Sequence, residues 1–131
     1  MECPANLRYT KEHEWARQEG HHIVVGITDY AQKELGDVVF VELPDVGATF
    51  ASSDILGVVE SVKAVSDLYA PVSGTVVETN LVLEDQPELI NASPYGQGWI
   101  AVLEASDSSQ WQGLLTAAEY QAYVAQEQSS H

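Results

Sequence analysis

Apolar residues fall in short runs along the chain, separated by Gly, Pro and Asp turns. That spacing predicts a sandwich or barrel of strands rather than a helical bundle. Strands are expected over residues 13–17 and 22–27, joined by a turn at 18–21 in which Gly20 can take a positive φ. Thr28 is placed to cap a short helix over 29–35, and Gly36 to end it. A strand over 38–43 follows, then a turn at Pro44, Asp45, Val46 and Gly47. Two β-rich runs, 55–62 and 64–69, flank Lys63. Residues 70–74 turn the chain, 75–80 resume a strand, and 91–98 are rich in turn formers. A last strand is expected over 99–104, with Trp99, Ala101 and Leu103 on one face.

The end of the chain changes period. Thr116 and Glu119 have the spacing of a capping box, and Leu115 and Tyr120 that of a hydrophobic staple around it. Tyr120, Tyr123 and Val124 then follow at i, i+3 and i+4, one apolar stripe. A helix over 116–127 is expected. So short a helix is marginal in isolation, so it should dock on the β core. Residues 128–131 are expected to fray.

With 131 residues and 45% apolar composition, the chain is expected to form one domain, 1–131, with a real core. Charge sharpens the picture. Twenty acids face 5 bases, a formal net charge of -15. Such a surface repels phosphate backbones and anionic membranes, which argues against nucleic acid and membrane as partners, and it attracts basic protein surfaces. The bases are Arg8, Lys11, Arg17, Lys33 and Lys63, and the last stands far from the others. Cys3 is the only cysteine, so no disulfide framework exists within the chain. The N-terminus lacks a secretory apolar region, and no apolar run approaches the roughly 20 residues of a membrane span. The expectation is a monomer in the bacterial cytoplasm, or in the mitochondrial matrix if the chain is a mature eukaryotic one.

No set of residues assembles an enzyme's chemistry. Ser73 lies in a Pro-Val-Ser-Gly turn, not in a nucleophile elbow. His21 and His22 are adjacent on a strand and point to opposite faces, so they cannot readily share an ion with His13, Glu12 or Glu14. No phosphate-binding glycine pattern occurs. The chain is therefore expected to have no catalytic residues and no metal site.

Lys63 stands in the string Glu60-Ser61-Val62-Lys63-Ala64, where two strand-like runs meet. Taken alone it could be a solvated lysine pairing with Glu60 or Asp67. The segment nevertheless resembles the hairpin of biotinyl and lipoyl carrier domains, whose tip lysine receives an acyl cofactor. Biotin carriers place methionine on both sides of that lysine, and Val62 and Ala64 disfavour them. The string is most similar to that of the H-protein family of the glycine cleavage system. So are Tyr9-Thr10 with His13-Glu14-Trp15, Val25 to Gln32 with Leu35-Gly36-Asp37, and Val39 to Pro44 with Gly47. Pro71-Val72-Ser73-Gly74, Asn91, and Pro94 to Trp99 complete an ordered set covering about residues 7 to 125. Glu12 departs from the pattern, because many members carry serine there.

The resemblance implies a mainly β, barrel-sandwich hybrid fold with a short helix near 29–35 and the C-terminal helix. It implies (R)-lipoate joined to Lys63 by an amide bond, at the tip of an exposed hairpin. The implied partners are glycine decarboxylase, aminomethyltransferase, dihydrolipoamide dehydrogenase and the lipoate-attaching enzyme. Glu14 would hold the amine of the loaded arm, with Asp67 in support, and Glu60 would help the attaching enzyme to recognise the hairpin. A lipoate depot serving other proteins would share the same hairpin.

Overall fold

The computed structural model describes residues 2–129. Strand β1 (Arg8–Tyr9) pairs with β2 (Glu14–Glu19), which returns as β3 (His22–Ile27). Glu19 faces His22 across a tight turn in which Gly20 has φ +64°. Helix α1 (Asp29–Leu35) starts where Thr28 accepts a hydrogen bond from the Ala31 N–H and ends at Gly36, φ +79°. Strands β4 (Val38–Glu42), β5 (Thr49–Phe50), β6 (Ile55–Ser61), β7 (Val65–Tyr69) and β8 (Gly74–Thr79) follow. Two single-turn helices, α2 (Val82–Asp85) and α3 (Leu89–Ala92), lead to β9 (Ala101–Ala105). A 3₁₀ segment (Ser108–Gly113) then precedes helix α4 (Ala117–Ser129).

The strands form two antiparallel sheets, not a closed barrel. The larger has the order β1-β2-β3-β9-β8-β5, and the smaller is β4-β6-β7. Both contribute to one core. Ala16, Ile23, Val25, Ala101 and Leu103 of the larger sheet cluster with Val41, Leu56, Val59 and Leu68 of the smaller. The alternation of β-strands sends their sequence neighbours to the opposite face. Trp15, Val24 and Val102 therefore join Tyr9, Tyr120 and Val124 in a second cluster, under α4. This is how a short amphipathic helix finds the tertiary support it needs. Its capping box is complete: the Thr116 N–H donates to Glu119 Oε1 at 2.9 Å, and the Glu119 N–H to Thr116 Oγ1 at 3.2 Å.

Several expectations change. β9 begins at Ala101, and Ile100 enters the main core beside Ala101, so the alternation does not extend back to Trp99. Trp99 packs against the second cluster instead of sharing a face with Ala101 and Leu103. α2, α3 and the 3₁₀ segment were not anticipated. α4 includes Gln128 and Ser129, and residues 130–131 lie outside the described ones.

Candidate functional site

The β6–β7 hairpin carries Lys63 at its tip. Glu60 and Val65 form the last register pair. Beyond them Ser61 organises the loop: its N–H donates to the Ala64 carbonyl at 2.8 Å, and its Oγ accepts from the N–H groups of Ala64 at 3.0 Å and Lys63 at 3.3 Å. The Val62 N–H donates to the Asp37 carbonyl at 3.0 Å and ties the tip to the loop before β4. Val62 and Val65 are 69% and 67% exposed, so the tip presents apolar side chains around the lysine.

Lys63 is exposed and, among the described residues, forms no ion pair. It does not pair with Glu60 or Asp67. The other four bases are all engaged. Lys33 pairs with Asp29 at 3.1 Å and Arg17 with Glu19 at 2.7 Å. Arg8 donates to the Leu114 carbonyl and covers the Trp111 ring, and Lys11 lies over Tyr123.

Next to the hairpin runs a cleft of about 370 Å³. Ala64, Val65, Ser66 and Asp67 of the hairpin line one side, and Glu12, His13 and Glu14 line another. Tyr30, Glu34 and Leu35 come from α1 and its N-terminal turn, and Glu127 comes from α4. Ile27 and Val59 add apolar wall. Glu14 and Asp67 are thus brought to the same cleft, but in different settings. Asp67 is exposed. Glu14 is only 1% exposed, a burial its position in an alternating strand did not announce. Glu60 sits at the base of the hairpin tip, partly buried.

The Glu14 carboxylate accepts from the Thr10 hydroxyl at 2.5 Å and from the Tyr69 N–H at 3.1 Å. Burial raises its pKa from 4.5 to about 7; the two hydrogen bonds pull the other way, and the charge of Glu12 adds to the rise. Desolvation, then the charges of Asp67, Glu12 and Glu14, push the Tyr69 hydroxyl above its ordinary value. A second cleft, about 500 Å³, also reaches Glu12 and Glu14 and runs along Thr10, Ser53, Tyr69 and Leu115.

His13, which the sequence does not support as a metal ligand, has a defined structural place. It precedes β2 with φ +71°, a conformation that costs a non-glycine residue on the order of 1–3 kcal/mol and persists only when its surroundings fix it. Its N–H donates to the Thr10 carbonyl at 3.1 Å, and its carbonyl accepts from the Thr28 N–H at 3.0 Å. Its ring meets Tyr120 Oη at 2.8 Å through Nδ1 and Glu127 at 3.2 Å through Nε2. Positive φ leaves no mark in the sequence at a histidine, so this was not legible.

The arrangement suits a tethered group. A free, exposed amine can be acylated, and the cleft beside it combines apolar wall with carboxylates that would hold a cation. Comparison with known proteins points the same way. Residues 7–127 match the family model described as glycine cleavage H-protein. A glycine cleavage system H protein from Geobacillus kaustophilus is 57% identical over 95% of this chain and 98% of its own length. One from an Anaeromyxobacter species is 56% identical over 98% of this chain and 100% of its own. The crystal structure of a glycine cleavage system H protein from Mycobacterium marinum superposes with a TM-score of 0.83 at 42% identity, covering 95% of this chain and 98% of that one.

Proposed function

The chain belongs to the glycine cleavage H-protein family, and on that premise we propose that Lys63 bears lipoate in amide linkage and that the protein shuttles the aminomethyl group of glycine. It is a carrier component with no catalysis of its own. The observation that carries this reading is the hairpin-tip lysine that stays unpaired among the described residues while every other base is engaged.

When attached, the lipoyl group would supply a dithiol–disulfide couple able to carry an aminomethyl unit between glycine decarboxylase and aminomethyltransferase and open to reoxidation by dihydrolipoamide dehydrogenase. This chain's residues tether, seat and shield. Ser61 fixes the loop that presents Lys63, and Glu60 with the exposed Val62 and Val65 forms the surface read by the lipoate-attaching enzyme. Tethering raises the effective concentration of one arm at each partner. Glu14, in its dry setting, holds the ammonium end of the loaded arm, and Asp67 supports it from the rim. Its bacterial relatives support a place of work in the bacterial cytoplasm. Among the described residues no helix is long and apolar enough to cross a membrane.

Glycine–bicarbonate exchange in the presence of glycine decarboxylase tests the function. The lipoylated protein should support exchange, and Lys63→Arg should abolish it while keeping the fold. A lipoylated protein inert in exchange would leave only the depot role. The seat is tested separately: Glu14→Ala with Asp67→Ala should hasten amine release from the loaded protein without impeding lipoylation. An unchanged release rate would remove both acids from the role.

A further inference from the structure

The cleft has a wall that the hairpin and the N-terminal strands do not supply. Glu127, near the end of α4, lines it together with His13, Tyr30 and Glu34. Glu127 is held there on more than one side. His13 Nε2 approaches Oε2 at 3.2 Å, and the Tyr123 hydroxyl donates to Oε1 at 3.2 Å. The His13 side chain is 19% exposed and that of Glu127 34%, so the pair is partly sheltered from solvent screening.

His13 in turn is fixed from behind. Its Nδ1 lies 2.8 Å from Tyr120 Oη, which lies 2.7 Å from Thr28 Oγ1. A continuous relay results when Nε2 carries the proton: Thr28 donates to Tyr120, Tyr120 to Nδ1, and Nε2 to Glu127. The ring is also packed against Tyr30, Tyr120 and Tyr123, with centroids 4.9, 5.7 and 6.0 Å away. A strained backbone at His13 is therefore kept in a place where its imidazole joins the cleft, the α1 cap and the C-terminal helix. Strain retained against an easier conformation points to use.

We propose that His13 and Glu127 form a latch that holds the end of α4 as a wall of the arm cleft, so that the C-terminal helix governs how long a loaded amine is sheltered between partners. The inference rests on the carrier reading above. Both are positioning residues. Glu127 adds a carboxylate to the cleft that Asp67 and the hairpin also line, and the helix that carries it limits water's access to the seat. Breaking the latch should leave the fold intact, because the Tyr9, Tyr120 and Val124 cluster anchors the helix elsewhere.

Two single variants and their combination test this. Glu127→Gln removes the charge. His13→Asn removes the imidazole with a residue that tolerates the left-handed backbone. The lipoylated proteins are reduced and loaded chemically with formaldehyde and ammonium, a thiol, formaldehyde and ammonium giving the aminomethyl thioether and water. Amine release is then followed without any partner enzyme. Each single variant should release ammonia about threefold to fivefold faster than the parent, the range of a partly sheltered pair. The double variant should be no faster than the quicker single one, because the two act as a unit. Hydrogen exchange should show lost protection confined to the last turns of α4, also in the unlipoylated protein. Parental release rates, multiplicative effects, or unchanged exchange at α4 would overturn the latch. A parent protein that loads chemically but not from glycine and its decarboxylase would instead overturn the carrier reading.

Discussion

Among the described carboxylates, Glu14 departs furthest from what its type suggests. A carboxylate with two hydrogen bonds would ordinarily stay acidic, but near-complete burial outweighs them and carries its pKa to about 7. The folded-state pKa lies above the unfolded one, so between them the folded protein binds more protons. Stability contributed by this group is therefore full below pH 4.5, falls as pH rises to about 7, and is flat beyond. The difference corresponds to roughly 3 kcal/mol. Urea unfolding at pH 5 and pH 8 should show Glu14→Gln gaining stability relative to the parent as pH rises; a gain in the opposite direction would contradict the burial argument. The cost is tolerable if a bound ammonium recovers it, since a cation in the cleft would favour the charged form. Retention of the loaded amine should accordingly weaken as pH drops below about 7, and Glu14→Gln should lack that inflection when release is followed across pH. A second residue-scale constraint is Gly26. A Cβ there would lie 2.6 Å from the Trp15 indole, which is itself fixed by donation to the Pro94 carbonyl at 2.9 Å. Gly26→Ala should cost on the order of 1–3 kcal/mol in thermal or urea unfolding, as overpacking does.

At the scale of elements, structures with a local signal were legible and structures held by distant partners were not. Thr28 and Gly36 bound α1, and Thr116 with Glu119 starts α4, because caps act within one turn of chain. The hairpin was legible from two β-rich runs around Lys63. α2 and α3 carry no side-chain cap, and their starting residues, Leu81 and Glu88, make no capping bond. They are held by Leu83 and Ile90, both fully buried. The proposed seat was half legible. The family resemblance singled out Glu14 and Asp67, but Glu14 is buried and takes a hydrogen bond from Tyr69, 55 residues away, and no local pattern encodes that. His13 and Glu127 were missed for the same reason, since their meeting joins the two ends of the chain. The caps give a direct test: Thr116→Ala should cost about 1 kcal/mol in unfolding free energy. In the hairpin, Ser61→Ala removes an acceptor for two backbone N–H groups at the tip. It should slow lipoylation more than it lowers the melting temperature, and unchanged lipoylation kinetics would mean the loop geometry is set elsewhere.

For the whole molecule, the acidic balance now has a context. A carrier must meet several enzymes and leave each of them, and a net charge of -15 favours fast, reversible encounter with basic surfaces over tight binding. Acylation of Lys63, as proposed, would remove a further positive charge and leave the hairpin tip apolar, with Val62 and Val65 exposed beside it. Added salt should therefore lower kcat/KM for the decarboxylase reaction with this protein as the varied substrate; a rate independent of salt would assign recognition to the apolar tip alone. All of this depends on one covalent bond. Intact mass with peptide mapping, after expression with lipoate and the attaching enzyme, measures it directly. The account predicts a single lipoyl increment located on Lys63. A lipoyl group on Lys11 or Lys33, biotin in its place, or an unmodified Lys63 would contradict it.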